Sequence, residues 1–304
     1  MELLLRSLFQ SLAKNKFANK LASKYGLRFG AKRFVSGETI TEAIEIIKEL
    51  NSSGRVVTLD HLGEFVFTEE EAKESAEMCL LTLDRIHESN VQSHLSVKLT
   101  SLGLDIDSDL VKRNMKDILL KAKQYGNFVR IDMEDYSHCQ MTIDIYKELR
   151  EKFDNVGLVI QAYLYRTEKD MDLLNRLGAN LRLVKGAYKE SSDVAFPNKK
   201  DVDENYKKII QSHMLNNHYT AVASHDEHII HYTKKLAANH QIDNSKFEFQ
   251  MLYGICDELQ QRLISEGYKV RVYVPYGKDW FGYFMRRLAE RPANVWFILK
   301  NLFK

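Results

Sequence analysis

Short apolar runs and longer amphipathic segments alternate along most of the chain. Segments with helical periodicity separate the runs, and Thr39 with Glu42 forms a capping-box pattern that predicts a helix before the first run. Alternating strands and helices are typical of a parallel sheet. Runs rich in β-branched residues predict eight strands, at residues 56–59, 95–99, 128–133, 158–162, 181–184, 221–223, 247–251 and 270–274.

Eight strand–helix units in about 250 residues predict an α/β protein with a closed (βα)8 TIM-type barrel. A doubly wound open sheet is the alternative, but no GxGxxG follows any predicted strand. The chain has 304 residues, only three prolines and no linker-like stretch. We therefore expect one catalytic domain over residues 1–304, with a helical arm at 1–54 and the barrel at 55–304.

The composition excludes some classes of function. Lys plus Arg number 44 and Asp plus Glu 42, a balance that argues against a nucleic-acid-binding protein. Three isolated cysteines without metal-ligand spacing indicate a reduced, intracellular protein with no metal site. No apolar run approaches the roughly 18 residues of a membrane span, and the first residues lack the pattern of a secretory signal. We expect a cytoplasmic location.

Residues 1–35 differ from the rest of the chain in charge. They hold eight basic side chains and one acid, Glu2, and their apolar residues recur at near-helical spacing. Such a basic amphipathic segment has two interpretations. We favour a helix that packs on the barrel with a solvated basic face; the alternative is peripheral contact with the inner face of a membrane.

Polar side chains gather at the predicted strand ends. In a (βα)8 barrel the active site lies where the strands end and the βα loops begin. A barrel without a site has no reason to place so many ionisable groups at that face. The strand ends carry Asp60, Lys98, Asp132, Gln161, Lys185, His225, Tyr253 and Tyr273.

The segment after the eighth strand carries two adjacent arginines, Arg286 and Arg287, with Glu290 about one helical turn away. A solvated charged face is one interpretation. Adjacent arginines beside the catalytic end of the last strand also suit bidentate capture of a carboxylate. We expect the substrate to be a small molecule that carries a carboxylate.

Two other chemistries are compatible with single residues. Lys185 is either a salt-bridged structural lysine or the amine of a Schiff-base aldolase, a known use of buried barrel lysines. His225 and Asp226 with His228 and His231 weakly suggest metal ligands, but no established two-ligand spacing supports them.

Seven segments follow one another along the predicted strand ends from about residue 55 to 300. They are SVKLTSLGLD (96–105), IDMED (131–135), VIQAY (159–163), RLVKGAYKE (182–190), ASHD (223–226), EFQMLYG (248–254) and YVPYGKDWFGYFMRRLAER (273–291). With these segments the chain resembles the proline dehydrogenase family, specifically its short bacterial monofunctional form.

The resemblance implies a fold and a reaction. The fold is a distorted (βα)8 barrel with N-terminal helices, a final helix over the active site, and FAD bound without a Rossmann motif. The reaction is the FAD-dependent oxidation of L-proline to Δ1-pyrroline-5-carboxylate, the first step of proline catabolism to glutamate, with electrons passed to a quinone.

The resemblance also implies which residues bind the substrate. The carboxylate of proline is held by Lys98, Arg286 and Arg287, and Glu290 pairs with the two arginines. The pocket for the pyrrolidine ring is walled by Tyr188, Leu252 and Tyr273.

Catalysis and cofactor binding are implied in the same way. Asp132 belongs to the catalytic network, and Arg182 lies against the flavin near N5, which receives the hydride. Two positions depart from the family pattern: Lys189 stands where a tryptophan is frequent, and Ser224 where many members have threonine. The further residues implied to contact FAD are Met133, Gln161, Lys185, Gly186, Ala187, Ser224 and His225.

Overall fold

The computed structural model describes residues 33–63 and 66–290, and side chains as far as residue 285. Its centre is a closed barrel of eight parallel strands in sequential order, which confirms the predicted (βα)8 fold. The strands are β1 (Val56–His61), β2 (Ser93–Val97), β3 (Val129–Ile131), β4 (Val156–Gln161), β5 (Leu181–Val184), β6 (Thr220–Ala223), β7 (Phe247–Leu252) and β8 (Val270–Tyr276).

Helices separate consecutive strands and surround the barrel. Thr39 caps the first helix, and its reciprocal bonds with Glu42 form the predicted capping box. The helices are α1 (Ile40–Ser52), α2 (Glu69–Glu88), α3 (Ser108–Gln124), α4 (Tyr136–Arg150), α5 (Thr167–Arg176), α6 (Lys199–Leu215), α7 (Glu227–Asn239), α8 (Asp257–Ser265) and α9 (Trp280–Glu290).

The barrel closes where β1 pairs with β8. In their register Thr58 lies opposite Tyr273, and Asp60 lies opposite Pro275. Because all strands are parallel, their carboxyl ends meet at one rim of the barrel. The polar residues that follow the eight strands are therefore brought to a single face.

The interior near the amino ends of the strands contains a buried ion pair. Arg271 Nε donates to Glu248 Oε1 over 2.7 Å, and both side chains are buried. Burial alone would raise the pKa of Glu248, but the neighbouring Arg271 guanidinium outweighs burial and lowers that pKa to about 2. Glu248 is therefore ionised inside the barrel at neutral pH.

The predicted basic arm lies outside the described residues except for 33–35. Phe34 and Val35 are buried in an apolar cluster with Trp280 and Phe284 of α9, so the chain just before α1 packs against the last barrel helix. Within residues 33–63 and 66–290, no helix combines the length and the apolar character needed to cross a membrane.

Candidate active site

A pocket of about 630 Å³ opens at the carboxyl ends of the strands, within the size range of small-molecule sites. Thirteen of the sixteen predicted site residues line it. They are Lys98, Asp132, Met133, Gln161, Arg182, Lys185, Gly186, Ala187, Tyr188, Ser224, His225, Leu252 and Tyr273.

Asp132, just after β3, lies at the centre of a hydrogen-bond network. Its Oδ1 accepts from Arg182 Nη1 at 2.6 Å and from Ser96 Oγ at 2.9 Å. Its Oδ2 lies 3.0 Å from the Tyr273 hydroxyl. Three strands besides β3 therefore hold this carboxylate in place.

Arg182 joins this network to the opposite wall of the barrel. Its Nε donates to Gln250 Oε1 on β7 over 2.6 Å. Its buried Nη2 has no hydrogen-bond partner within the part of the chain whose side chains are described. A buried guanidinium donor normally has an acceptor, and Arg182 lines the pocket. A ligand with an acceptor atom at this position would give Arg182 Nη2 a hydrogen-bond partner.

Asp60 at the end of β1 connects Lys98 to Tyr273. Its Oδ2 lies 2.8 Å from Lys98 Nζ and 2.6 Å from the Tyr273 hydroxyl. Burial raises the pKa of Asp60, more than the Lys98 ammonium group lowers it. Sequence reasoning noted Asp60 as a strand-end acid but gave it no role, since its partners follow from the register of β1 with β2 and β8.

Lys185 after β5 lies between two carboxylates that sequence reasoning did not assign. Its Nζ is 2.5 Å from Asp203 Oδ1 and 2.8 Å from Asp226 Oδ2. Burial alone would raise the pKa of both acids, but the hydrogen bonds and positive charges around them, mainly from Lys185 and Lys199, together lower the pKa. Lys185 therefore forms ion pairs with two carboxylates at the edge of the pocket.

The loop after β5 brings main chain against the pocket. Gly186 has a φ of +116°, and a Cβ there would lie 2.2 Å from Tyr163 Cδ1. A side chain is therefore excluded by both conformation and space. Without one, a ligand can approach the backbone of this loop closely.

His225 and Gln161 are held by main-chain bonds. His225 Nε2 accepts from the Leu252 backbone N–H at 3.0 Å, so the proton of a neutral imidazole is on Nδ1. Gln161 Nε2 donates to the Glu134 carbonyl over 2.8 Å. These bonds fix the orientation of two side chains that line the pocket.

The last helix, α9, covers one side of the pocket through Tyr283. Arg286, Arg287 and Glu290 belong to the same helix, but their side chains lie outside the described residues. The predicted carboxylate clamp therefore stays a prediction.

A (βα)8 barrel with a buried carboxylate–arginine network and a pocket at its carboxyl face is the architecture of a small-molecule enzyme. The family model for proline dehydrogenase matches residues 43–300. The chain belongs to the proline dehydrogenase family, as its motifs predicted.

Relatives of known name match nearly the whole chain. Proline dehydrogenase 2 of Bacillus subtilis (strain 168) is 54% identical over 299 residues, which cover 98% of this chain and 99% of that protein. The proline dehydrogenase of Deinococcus radiodurans is 42% identical over 279 residues, 90% of each chain.

A solved structure supports the same assignment at the level of the fold. The crystal structure of proline utilization A (PutA) from Bdellovibrio bacteriovorus, inactivated by N-propargylglycine, matches with a TM-score of 0.80 at 26% identity. The match covers 85% of this chain and 32% of that one, so this chain corresponds to about a third of that protein.

Proposed function

We propose that the protein oxidises L-proline to Δ1-pyrroline-5-carboxylate with FAD as its cofactor, and passes the electrons to a quinone. The observation that carries the proposal is the pocket itself. Thirteen residues to which the family resemblance assigns a role in catalysis or in binding proline or FAD line one cavity at the carboxyl face of the barrel.

The described residues fit a flavin. The buried Arg182 Nη2 requires an acceptor, and the loop at Gly186 permits close approach to its backbone. Bound FAD would supply the acceptor for the hydride. The residues that would hold it are Met133, Gln161, Arg182, Lys185, Gly186, Ala187, Ser224 and His225.

The substrate would lie between that group and the wall formed by Tyr188, Leu252 and Tyr273. Lys98, with Arg286 and Arg287, would bind its carboxylate, and Glu290 would pair with the arginines. Fixing the carboxylate would also fix the position of the pyrrolidine ring against the cofactor. Orienting the reactants in this way is a contribution that the protein makes to the rate. The Asp132–Arg182 pair, both catalytic residues in this proposal, is held by bonds from Ser96 on β2 and Gln250 on β7.

The chemistry balances over substrate and cofactor. Oxidation would remove a hydride from the ring carbon next to nitrogen that does not carry the carboxylate, with FAD as the hydride acceptor. The nitrogen would release its proton to solvent, so that a C=N double bond forms. Arg182 and Lys185 place positive charge at the pocket, which would stabilise the extra negative charge of the reduced cofactor.

The membrane side of the proposal concerns the basic segment at residues 1–35. With eight basic side chains and one acidic side chain, this segment would be attracted to anionic lipid. A quinone acceptor would be found in the same membrane. The protein would then be cytoplasmic and peripheral on the inner face of the membrane.

The experiment is a visible absorbance spectrum of the purified protein, before and after anaerobic addition of L-proline. We expect oxidised flavin bands that bleach with L-proline and not with D-proline. Protein that is colourless is first incubated with FAD. A protein that binds no flavin, or whose flavin L-proline leaves oxidised, would overturn the proposal.

A further inference from the structure

We propose that Asp60 is a positioning residue of this site: it holds the Lys98 ammonium group and directs the Tyr273 hydroxyl, so that both face the substrate in a fixed arrangement. The inference rests on the proline oxidation proposed above and extends it to a residue outside the predicted set.

The first support is the geometry around one oxygen. Asp60 Oδ2 accepts from Lys98 Nζ at 2.8 Å and from the Tyr273 hydroxyl at 2.6 Å. The Asp60 side chain is only 2% exposed and that of Lys98 12%, so water competes little for either bond. One carboxylate oxygen therefore fixes the positions of both the Lys98 ammonium group and the Tyr273 hydroxyl.

The second support is the proton count of Tyr273. Its hydroxyl lies 2.6 Å from Asp60 and 3.0 Å from Asp132 Oδ2, but a phenol has a single proton to donate. The shorter contact receives it. Asp132 is already bonded to Arg182 and Ser96, whereas among the described side chains Asp60 bonds to Lys98 alone besides the tyrosine. Asp60 therefore sets the direction of the hydroxyl.

The same three residue types meet elsewhere, away from the candidate active site. Asp84 on α2 accepts from Lys121 Nζ at 2.8 Å and from the Tyr125 hydroxyl at 2.7 Å. This group lies between α2 and α3 on the outside of the barrel, and its acid is 28% exposed. It gives a matched control, because Asp84→Asn removes the same charge from the same kind of contact away from the site.

The test measures KM and kcat for L-proline in the FAD-loaded protein. Asp60→Asn removes the charge but keeps the size. We expect KM to rise on the order of 10-fold, as for a lost charge-assisted bond, with kcat changed less than about threefold because the hydride donor and acceptor remain. Flavin content stays at the wild-type level, and Asp84→Asn leaves KM unchanged.

A double-mutant cycle distinguishes positioning from general destabilisation. Because part of the effect of Asp60 passes through Lys98, Asp60→Asn combined with Lys98→Met should raise KM by less than the product of the two single effects. If Asp60→Asn unfolds, Asp60→Glu carries the test: it keeps the charge and should give a KM only a few-fold above wild type.

The outcomes separate this inference from the proposed function. Wild-type protein that does not oxidise proline refutes the proposed function. Active wild type combined with an Asp60→Asn variant of unchanged KM refutes the role of Asp60. The role of Asp60 is also refuted if the Asp60 and Lys98 substitutions raise KM by independent factors that multiply in the double variant.

Discussion

The guanidinium carbon of Arg182 lies 5.4 Å from the centre of the Tyr273 ring, over its face. This cation–π contact uses the aromatic ring, whereas the hydrogen bond from Tyr273 to Asp60 uses the hydroxyl. One side chain thus supports two neighbours through two different groups. Substitutions that remove the ring and substitutions that remove the hydroxyl should therefore have different effects.

Tyr273 is expected to determine the choice of substrate. If the pyrrolidine ring binds against Tyr273, as the family resemblance implies, the tyrosine should leave no room for the hydroxyl of trans-4-hydroxy-L-proline. Burying that hydroxyl unpaired costs roughly 1–3 kcal/mol. Wild type should prefer L-proline. Tyr273→Ser should lower the ratio of kcat/KM for L-proline to kcat/KM for hydroxyproline, and should also lower activity with proline. Tyr273→Phe should keep the preference for proline. Equal use of both substrates by wild type, or an unchanged ratio in Tyr273→Ser, would refute this role.

Arg286 and Arg287 are expected to bind the substrate carboxylate. A charge-assisted bond contributes roughly 1.5–3 kcal/mol, so replacing either arginine with Met should raise the proline KM by about 10- to 100-fold. Flavin absorbance should be retained. Arg262→Met, which removes a half-exposed arginine paired with Glu227, serves as the control. Unchanged KM in both clamp variants would exclude the clamp.

Lys185 is expected to serve cofactor binding and not Schiff-base chemistry. Treatment with a carbonyl substrate and borohydride should add no mass to Lys185. Lys185→Met should weaken FAD binding on the order of 10-fold, measured by flavin fluorescence. Lys207→Met, which removes a lysine paired with Glu204 on α6, should leave FAD binding intact. A reduced adduct on Lys185 would instead favour the aldolase alternative.

His138 on α4 is expected to make stability depend on pH. Burial alone would lower the pKa of His138, but its hydrogen bonds with Asp105 and Asp135 outweigh burial and raise it. The stabilisation is therefore complete below the unfolded pKa of about 6.5 and is lost as pH rises through the folded value.

His138→Gln tests this dependence by thermal unfolding. Both acids are about half exposed, so the effect should stay below about 1 kcal/mol. The variant should lose more stability relative to wild type at about pH 5.5 than at about pH 8.5. A loss that is equal at both values would show that the charge of His138 contributes nothing.

The basic segment at residues 1–35 is tested by deleting residues 1–20. If the segment contacts anionic lipid, liposome binding should weaken as salt is added, because exposed charges are screened. The deletion should then reduce quinone reduction at membranes more than reduction of a soluble dye. Equal losses in the two assays would favour a helix packed on the barrel.

The sequence was sufficient to locate all eight strands, because buried parallel strands consist of short β-branched runs. Their ends were less accurate. The run at 128–133 predicts six residues, whereas β3 covers only Val129–Ile131. The Asp132 backbone N–H still donates to the Val97 carbonyl, so main-chain bonding continues one residue past the strand.

Pairings across the site could not be predicted in the same way. Asp203 lies on α6, and only the path of the loop after β5 brings it to Lys185. Asp60 meets Tyr273 through the register that closes the barrel. Periodicity reports the neighbours of a residue along one element but carries no information on side chains that meet from separate elements.

The pairing of β1 with β8 has a consequence for the order of events in folding. Asp60 and Tyr273 are 213 positions apart in the sequence. Contacts between such distant residues form late in folding, because the long segment between them must first lose conformational entropy. A chain still in synthesis, with β8 not yet made, contains Asp60 and Lys98 but lacks Tyr273, which contacts both Asp60 and Asp132 in the folded protein. The complete site therefore requires closure of the last strand on the first, and we expect a refolding protein to regain activity no faster than that closure.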